Sequence, residues 1–324
     1  MNCPICLGID SVLVRTLYDD RYGYPERFLL NRCKKCSHMF LPTEEFSSDD
    51  LANLYTNYYP RSSFDEGLYE PHKELSGFFA WLDGSNSSAF RNVPRDVRVL
   101  DIGCGFGQSL GYHRARGCDV YGVEADANIR RVAEKFDFNV HVGLFDPEIY
   151  EKNSFDYVTM DQVLEHVVNP LETLRGVAII LKPGGRAVIT IPNAFGWGAK
   201  VFGSRWINWH TPYHMQFYSK SSMALAGEQA GLEIESVKTI TASAWLHYQW
   251  LHLLTYPNYC QPSSFWAGIA CGDKSTLTRS EKLNVLFLAV INKLKINHFL
   301  TRLFDGLGLG DSQIFVLIKP HDKS

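Results

Sequence analysis

The sequence predicts an α/β fold: a mostly parallel sheet with helices on both faces, preceded by a small cysteine-bearing unit. Two observations carry this. From residue 94 onward, short apolar runs at 97–102, 120–123, 139–142, 157–160 and 186–191 alternate with helical patterns. Strands that alternate with helices imply parallel pairing, because parallel neighbours need a long crossover connection. Ahead of them, four of the eight cysteines stand in two Cys-x-x-Cys pairs, Cys3/Cys6 and Cys33/Cys36. The 324 residues exceed what one small domain needs, and 45% hydrophobic against 21% charged residues can build a core.

In chain order, the cysteine unit comes first. Each pair forms a knuckle that points two sulfurs at one place, and two knuckles supply four soft ligands for a closed tetrahedral site. Runs at 12–14 and 28–30 read as hairpin strands, with 19–23 as the turn between them. Lys34 and Lys35 can offset thiolate charge. Residues 1–44 resemble a zinc ribbon, which implies one structural Zn²⁺ on Cys3, Cys6, Cys33 and Cys36. His38 reads as a surface residue rather than a ligand.

Residues 45–93 read as a helical connector or lid. One helix is expected over 51–59, stopped by Pro60, and a second over 69–82; 84–88 is a linker. Tyr55, Tyr58 and Tyr59 could cover an active site or serve as packing aromatics. The remainder, 94–324, carries the sheet. Two more strands, 233–239 and 313–319, flank an insertion at 242–311. The insertion holds Trp245, Tyr248, Trp250 and Tyr256, then an apolar helix over 281–304.

The decisive segment runs Val99-Leu100-Asp101-Ile102-Gly103-Cys104-Gly105-Phe106-Gly107. An apolar strand ends in an acid, and a glycine-rich turn then opens a helix. Glycines let backbone approach a ligand closely. A dinucleotide fingerprint would need glycine at 103, 105 and 108, but residue 108 is Gln. A carboxylate at the strand end is also an awkward neighbour for phosphate.

Asp101-x-Gly-Cys-Gly-x-Gly resembles the first motif of class I S-adenosylmethionine-dependent methyltransferases. The resemblance implies a Rossmann-like seven-stranded sheet with the last strand antiparallel. It also implies cofactor contacts at Asp101, Gly103, Cys104, Gly105 and Gly107, where the carboxylate suits the ligand's ammonium group. Glu124, with Ala125, ends the second strand and is placed to accept the ribose hydroxyls; Asp126 reads as a helix cap. Leu144 fits the adenine-side wall, and Asp161 and Gln162 fit the loop facing the transferred methyl. The turn at 181–185, Leu-Lys-Pro-Gly-Gly, is one this family uses very often. The resemblance covers 94–241 and the last strand.

A ribbon joined to this fold is similar to the zinc-bearing methyltransferases of bacterial polysaccharide and natural-product pathways, nucleotide-sugar C-methyltransferases included. Their Tyr-His-Glu-His segment aligns its catalytic histidine with His214, in the stretch 206–219. The acid before that histidine is Tyr213 here, which favours O-methylation over C-methylation. O-methylation needs one base beside a hydroxyl, and neutral histidine suits that at pH 7. His214 is the expected base and His166 the alternative. Trp206, His210, Tyr213, Tyr58 and Tyr59 are expected at the acceptor. A metal at Glu165/His166 is a lesser alternative that lacks an evident third ligand.

The expected acceptor is a small molecule: a nucleotide sugar, glycan or lipid-linked intermediate. Leu283, Phe287, Val290 and Leu294 follow helical spacing with lysines nearby, so 281–304 could touch a membrane surface, a second subunit or the core. The apolar runs fall short of a bilayer span, no basic-then-apolar leader opens the sequence, and eight cysteines are too dilute for a disulfide scaffold. A soluble, cytoplasmic monomer or homodimer is expected. An RNA methyltransferase gripping its substrate by the ribbon is the main rival, with a non-catalytic cofactor-binding scaffold behind it. A net charge of −3 argues against nucleic acid. The six Lys/Arg and four Asp/Glu of residues 1–40 leave a surplus that a zinc tetrathiolate would cancel.

Overall fold

The computed structural model describes residues 2–42, 54, 67, 69–266 and 279–321. The first element is an antiparallel hairpin of β1 (Ser11–Tyr18) and β2 (Arg27–Cys33), and β2 also pairs with β3 (Met39–Phe40). The expected helix over 51–59, with Tyr55, Tyr58 and Tyr59, lies outside the described residues.

The helix expected over 69–82 is shorter than the sequence suggests. Only α1 (Gly77–Asp83) is helical. Residues 69–76 form an extended strap because tertiary bonds hold them elsewhere. The Tyr69 hydroxyl donates to the Gly107 carbonyl at 2.8 Å, and the His72 amide donates to the Gln108 carbonyl at 3.2 Å. Pro71 adds its own bias toward extended backbone at Glu70.

The main domain alternates β4 (Arg98–Ile102), α2 (Gln108–Arg114), β5 (Asp119–Glu124), α3 (Ile129–Phe136), β6 (Asn139–Val142), β7 (Phe155–Asp161), α4 (Pro170–Ile180) and β8 (Leu181–Pro192). Then follow α5 (Trp197–Phe202), β9 (Gln216–Phe217), α6 (Lys220–Ala230), β10 (Glu233–Ile240), α7 (Ser243–Leu254), α8 (Arg279–Lys293), α9 (Ile296–Gly306) and β11 (Ser312–Ile318). The seven-stranded sheet runs β10-β11-β8-β7-β4-β5-β6. β4 to β8 are parallel, and β11 is antiparallel to both β8 and β10. This is the sheet the sequence predicts. Its central strands read as continuous apolar runs because they are covered on both faces: Leu100, Val158, Ile189 and Phe315 are all fully buried.

The cysteine unit is continuous with this body. Met39 and Phe40 pair with Phe217 and Gln216, so β9 becomes the fourth strand of the N-terminal sheet. The hydroxyls of Ser219 and Ser221 donate to the Cys36 carbonyl, and the Gln229 amide donates to the Ile5 carbonyl. His38 is not the surface residue expected. It is fully buried, bonded to the Gln216 side chain at 2.8 Å and packed on Phe40 and Tyr218.

The single helix expected over 281–304 is two helices. Lys295 adopts a left-handed conformation (φ 60°) at their junction, and the pair bends by 62°. Among the described residues no single helix is long and apolar enough to cross a membrane, although this bent pair is so by length and composition together.

Candidate active site

The glycine turn leaves β4 with Gly103, Gly105 and Gly107 all at positive φ. Such backbone strains any residue with a Cβ. At Gly103 a Cβ would also stand 2.4 Å from a Val163 methyl. The amides of Gly103 and Cys104 donate to the Val123 carbonyl and tie the turn to β5.

Asp101 is buried at the end of β4. It accepts hydrogen bonds from the Ser109 hydroxyl and, at 2.6 Å, from Thr159 Oγ1. Burial nevertheless pushes its pKa up to about 6, and no cation lies against it among the described residues. Asp161, at the end of β7, is pushed up to about 7 by burial and by Asp101. Glu124 accepts from the Gly105 amide at 2.9 Å and from the Asp126 amide at 2.8 Å. Asp126 in turn accepts from the Asn128 amide in a local turn; the N-cap of α3 is Asn128, not the Asp126 expected.

Asp101 and Asp161 border a cleft of about 390 Å³, which Glu124 and Gly107 do not line directly. Asp101, Gly103, Cys104, Gly105, Asp161 and Gln162 line it, together with Ser87, Ser88, Phe90, Ala242 and Trp245 from the connector and the insertion. Burial holds the Cys104 thiol protonated. One buried and one half-buried carboxyl beside a glycine turn suit a cationic ligand and oppose a diphosphate. Ala125 and Leu144 are both exposed, and neither lines the cleft.

Beyond Gln162 the chain enters a short turn, Leu164–His166, and meets the loop 206–215. The rings of His166 and His214 stand 4.6 Å apart and nearly perpendicular, with His210 4.9 Å from His214. His214 Nδ1 bonds the Asn208 carbonyl at 2.8 Å. A carbonyl only accepts, so Nδ1 carries the proton and Nε2 keeps a lone pair. Burial drives the pKa of both His210 and His214 well below the ordinary imidazole value, and that of His166 to about 4.

Glu165 is also fully buried. Apart from its own backbone amide, its carboxyl oxygens have no partner among the described residues, and burial raises its pKa strongly. One donor atom each from Glu165, His166 and His214 lies within 4.8 Å of the others. The third donor atom that Glu165/His166 lacked in the sequence comes from His214, brought alongside when Met215 N–H bonds the Glu165 carbonyl.

Tyr213 sits in this cluster, ring to ring with His210 at 4.9 Å. Trp206 does not. Its indole donates to Asp311 at 3.0 Å, where Asn208 also donates, and this fastens the loop to the start of β11. Sequence reasoning missed Asp311. It also missed Arg21, carried by the hairpin turn between β1 and β2. Asp19 shapes that turn by accepting three backbone amides, from Arg21, Tyr22 and Tyr24. The turn reaches the histidines: Arg21 donates to the Ile207 carbonyl at 2.6 Å, and Tyr22 packs edge-on against His210 and Tyr213.

Cys3, Cys6, Cys33 and Cys36 bring their sulfurs within 4.8 Å of one another. Cys3 and Cys36 stand 3.5 Å apart, Cys6 and Cys33 3.4 Å. The hydrogen bond from Cys36 holds the Cys3 thiol down at about 4 and pushes Cys36 up. A donor set of four thiols, with three of the cysteines buried, fits a soft tetrahedral cation such as zinc.

A family model described as a methyltransferase domain matches residues 69–237. The chain belongs to the S-adenosylmethionine-dependent methyltransferases. The enzyme is similar to the ubiquinone biosynthesis O-methyltransferase of Xanthomonas axonopodis pv. citri, with 30% identity over 186 residues that cover 52% of this chain and 76% of the relative. The protein of the same name from Aeromonas salmonicida is 25% identical over 54% of this chain and 77% of its own length. Among solved structures, the methyltransferase resembles Haemonchus contortus phosphoethanolamine N-methyltransferase 2 (TM-score 0.48, 17% identity, 87% of this chain and 62% of that one). An Archaeoglobus fulgidus S-adenosylmethionine-dependent methyltransferase gives a TM-score of 0.42 at 18% identity, over 71% of this chain and 88% of that one.

The raised pKa of Asp101 generates a signed prediction for the methyltransferase. Its stabilising protonated form is complete below the unfolded carboxylate value near 4 and is lost as pH rises through about 6. Urea denaturation of the ligand-free enzyme should therefore show Asp101→Asn gaining stability relative to wild type between pH 4 and 6, on the order of 2 kcal/mol. A difference independent of pH contradicts the assigned burial.

Proposed function

We propose that this methyltransferase transfers a methyl group to a hydroxyl of a small-molecule acceptor, with His214 as general base. The observation that carries the reading is the tautomer of His214: Nδ1–H is committed to the Asn208 carbonyl and the Nε2 lone pair is available. In the proposed arrangement the turn Gly103–Gly107 cradles the cofactor, Asp101 and Asp161 lie toward its cationic groups, and Glu124 toward its ribose. Once bound, the cofactor supplies a methyl group already activated on a sulfonium.

His214 Nε2 takes the acceptor's hydroxyl proton as the new oxygen–carbon bond forms. The Glu165 carboxyl, within 4.8 Å, stands ready to share the positive charge that develops on the imidazole. The strap 69–76 and the loop 206–215 exclude water. Two supports favour O-methylation: the relatives carry O-methyltransferase names, and Tyr213 replaces the acid that the sugar C-methyltransferases place before their histidine. The expected sugar or glycoconjugate acceptor and a phenolic acceptor of the kind those names suggest are separate arms of the test.

A second reading has its own observation. The unpartnered Glu165 carboxyl beside two neutral histidines is a donor set that a divalent cation would accept. Glu165, His166 and His214 would then hold the ion, which would lower the pKa of the acceptor hydroxyl. The cysteine quartet is proposed to hold one structural Zn²⁺. It fastens the β1–β2 hairpin whose turn, through Arg21 and Tyr22, walls the histidines.

In a labelled-methyl assay over nucleotide-sugar, lipid-linked glycan and phenolic pools, His214→Ala should lower turnover about 10²–10⁴-fold while cofactor affinity is retained. Full activity removes His214 as the base. Turnover that chelation abolishes and a divalent ion restores would select the metal reading. Elemental analysis should find about one zinc per chain, and Cys33→Ser should abolish it; a folded wild-type chain without zinc contradicts the ribbon site.

A further inference from the structure

Helix α9 is built inside out. In α9 the residues facing the protein are polar: Asn297, His298, Thr301 and Arg302 are buried. Each has its bond. Trp250 donates to Asn297 at 3.2 Å, Thr301 pairs with Ser243 at 2.9 Å, His298 lies 3.1 Å from Asp83, and Arg302 donates to the Trp81 carbonyl at 3.0 Å. With the polar face bonded inward, the apolar face must point out. Phe299, Leu303 and Leu307 are accordingly more than half exposed.

α8 continues this surface with Leu283, Leu286 and Phe287, each at 64–68% exposure. α1 adds Phe78, Phe79 and Trp81, which pack on one another and leave Phe79 71% exposed. Monomeric soluble proteins rarely expose contiguous apolar surface on this scale.

We propose that α1, α8 and α9 form a platform that seats the enzyme on an anionic lipid bilayer, so that its acceptor is drawn from the membrane. Composition favours lipid over a second copy of the chain: α8 and α9 together are apolar enough, over enough length, for a bilayer. Residues 283–309 carry Lys293, Lys295 and Arg302 against the single acid Asp305. Arg302 pairs with Asp305 and Lys295 with Asp83, which leaves Lys293 exposed beside Leu294 and Ile296. A free cation at the edge of an apolar face suits phosphate headgroups above acyl chains. The 62° bend lets the two helices lie along a surface rather than cross it.

The platform also adjoins the cleft. Ser87, Ser88 and Phe90 follow α1 directly and line it, as do Ala242 and Trp245 at the start of α7, on which α8 and α9 pack. The membrane-borne acceptor rests on the small-molecule reading above, whereas the lipid contact does not.

Flotation of the full chain with phosphatidylcholine vesicles, with and without phosphatidylglycerol, tests the proposal. The protein should float with the anionic vesicles and less so at high salt. The triple variant Phe79→Ser/Phe287→Ser/Leu303→Ser should bind at least tenfold less while its S-adenosylmethionine affinity, read by calorimetry, is unchanged. Because those side chains are exposed, Leu283→Ser alone, expected to weaken flotation partially, serves should the triple variant misfold. Wild-type protein that stays in solution with every vesicle overturns the proposal. So does a wild-type dimer that ignores vesicles and that the triple variant dissociates. Methyl transfer without flotation would leave the active site standing and remove only the platform.

Discussion

A carboxyl group buried without a cation is the constraint on which the site depends. Asp101 sits at the end of the central strand β4, buried within the protein, and among the described residues only the hydroxyls of Ser109 and Thr159 offset its loss of water. Two neutral donors do not compensate an ionised carboxylate in such a place, and its pKa rises. Asp161 next to it shares the difficulty. The glycine turn opens directly above this pair, so the cleft is predisposed toward a ligand that brings positive charge. A methyl donor with a sulfonium and an ammonium group meets that requirement, and a dinucleotide does not.

The acceptor side has a different foundation. The loop 206–215 has little regular structure of its own and is fixed from three directions. Trp206 and Asn208 anchor it to Asp311 at the start of β11. Met215 bonds Glu165 at the end of the β7 turn. Phe217 and Gln216 join the N-terminal sheet through β3. The cysteine unit is therefore part of the body that positions His214, and its hairpin turn delivers Arg21 and Tyr22 to the same histidines. The strap 69–76, tied to the glycine turn by Tyr69, holds the cofactor side in a similar way.

Much of the fold was legible because its signals are local. Central strands buried on both faces, such as those of Leu100 and Ile189, read as short apolar runs, and Asp101 with its glycines stands in one unbroken segment. The cysteine pairs were legible for the same reason, since each knuckle is four residues long. What escaped depends on tertiary partners. Residues 69–76 have a helical composition, yet bonds to Gly107 and Gln108 extend them. Glu165 and His214 are far apart in the chain, so the ligand-like cluster appears only on folding. Trp206 reads as an acceptor residue by its type, but its indole is committed to Asp311. Leu144 follows the family pattern while standing in solvent. In 281–304 the helical period was visible, but periodicity does not tell which face turns inward; the bonds of Asn297, Thr301 and Arg302 decide that.

The account stands or falls on the cleft as a site for a cationic methyl donor held between Asp101 and Glu124. Calorimetric titration of S-adenosylmethionine into wild-type, Asp101→Ala and Glu124→Ala enzyme measures this most directly. Each substitution should weaken binding at least tenfold, a loss of about 1.4 kcal/mol or more. Affinity unchanged in both variants would contradict the account.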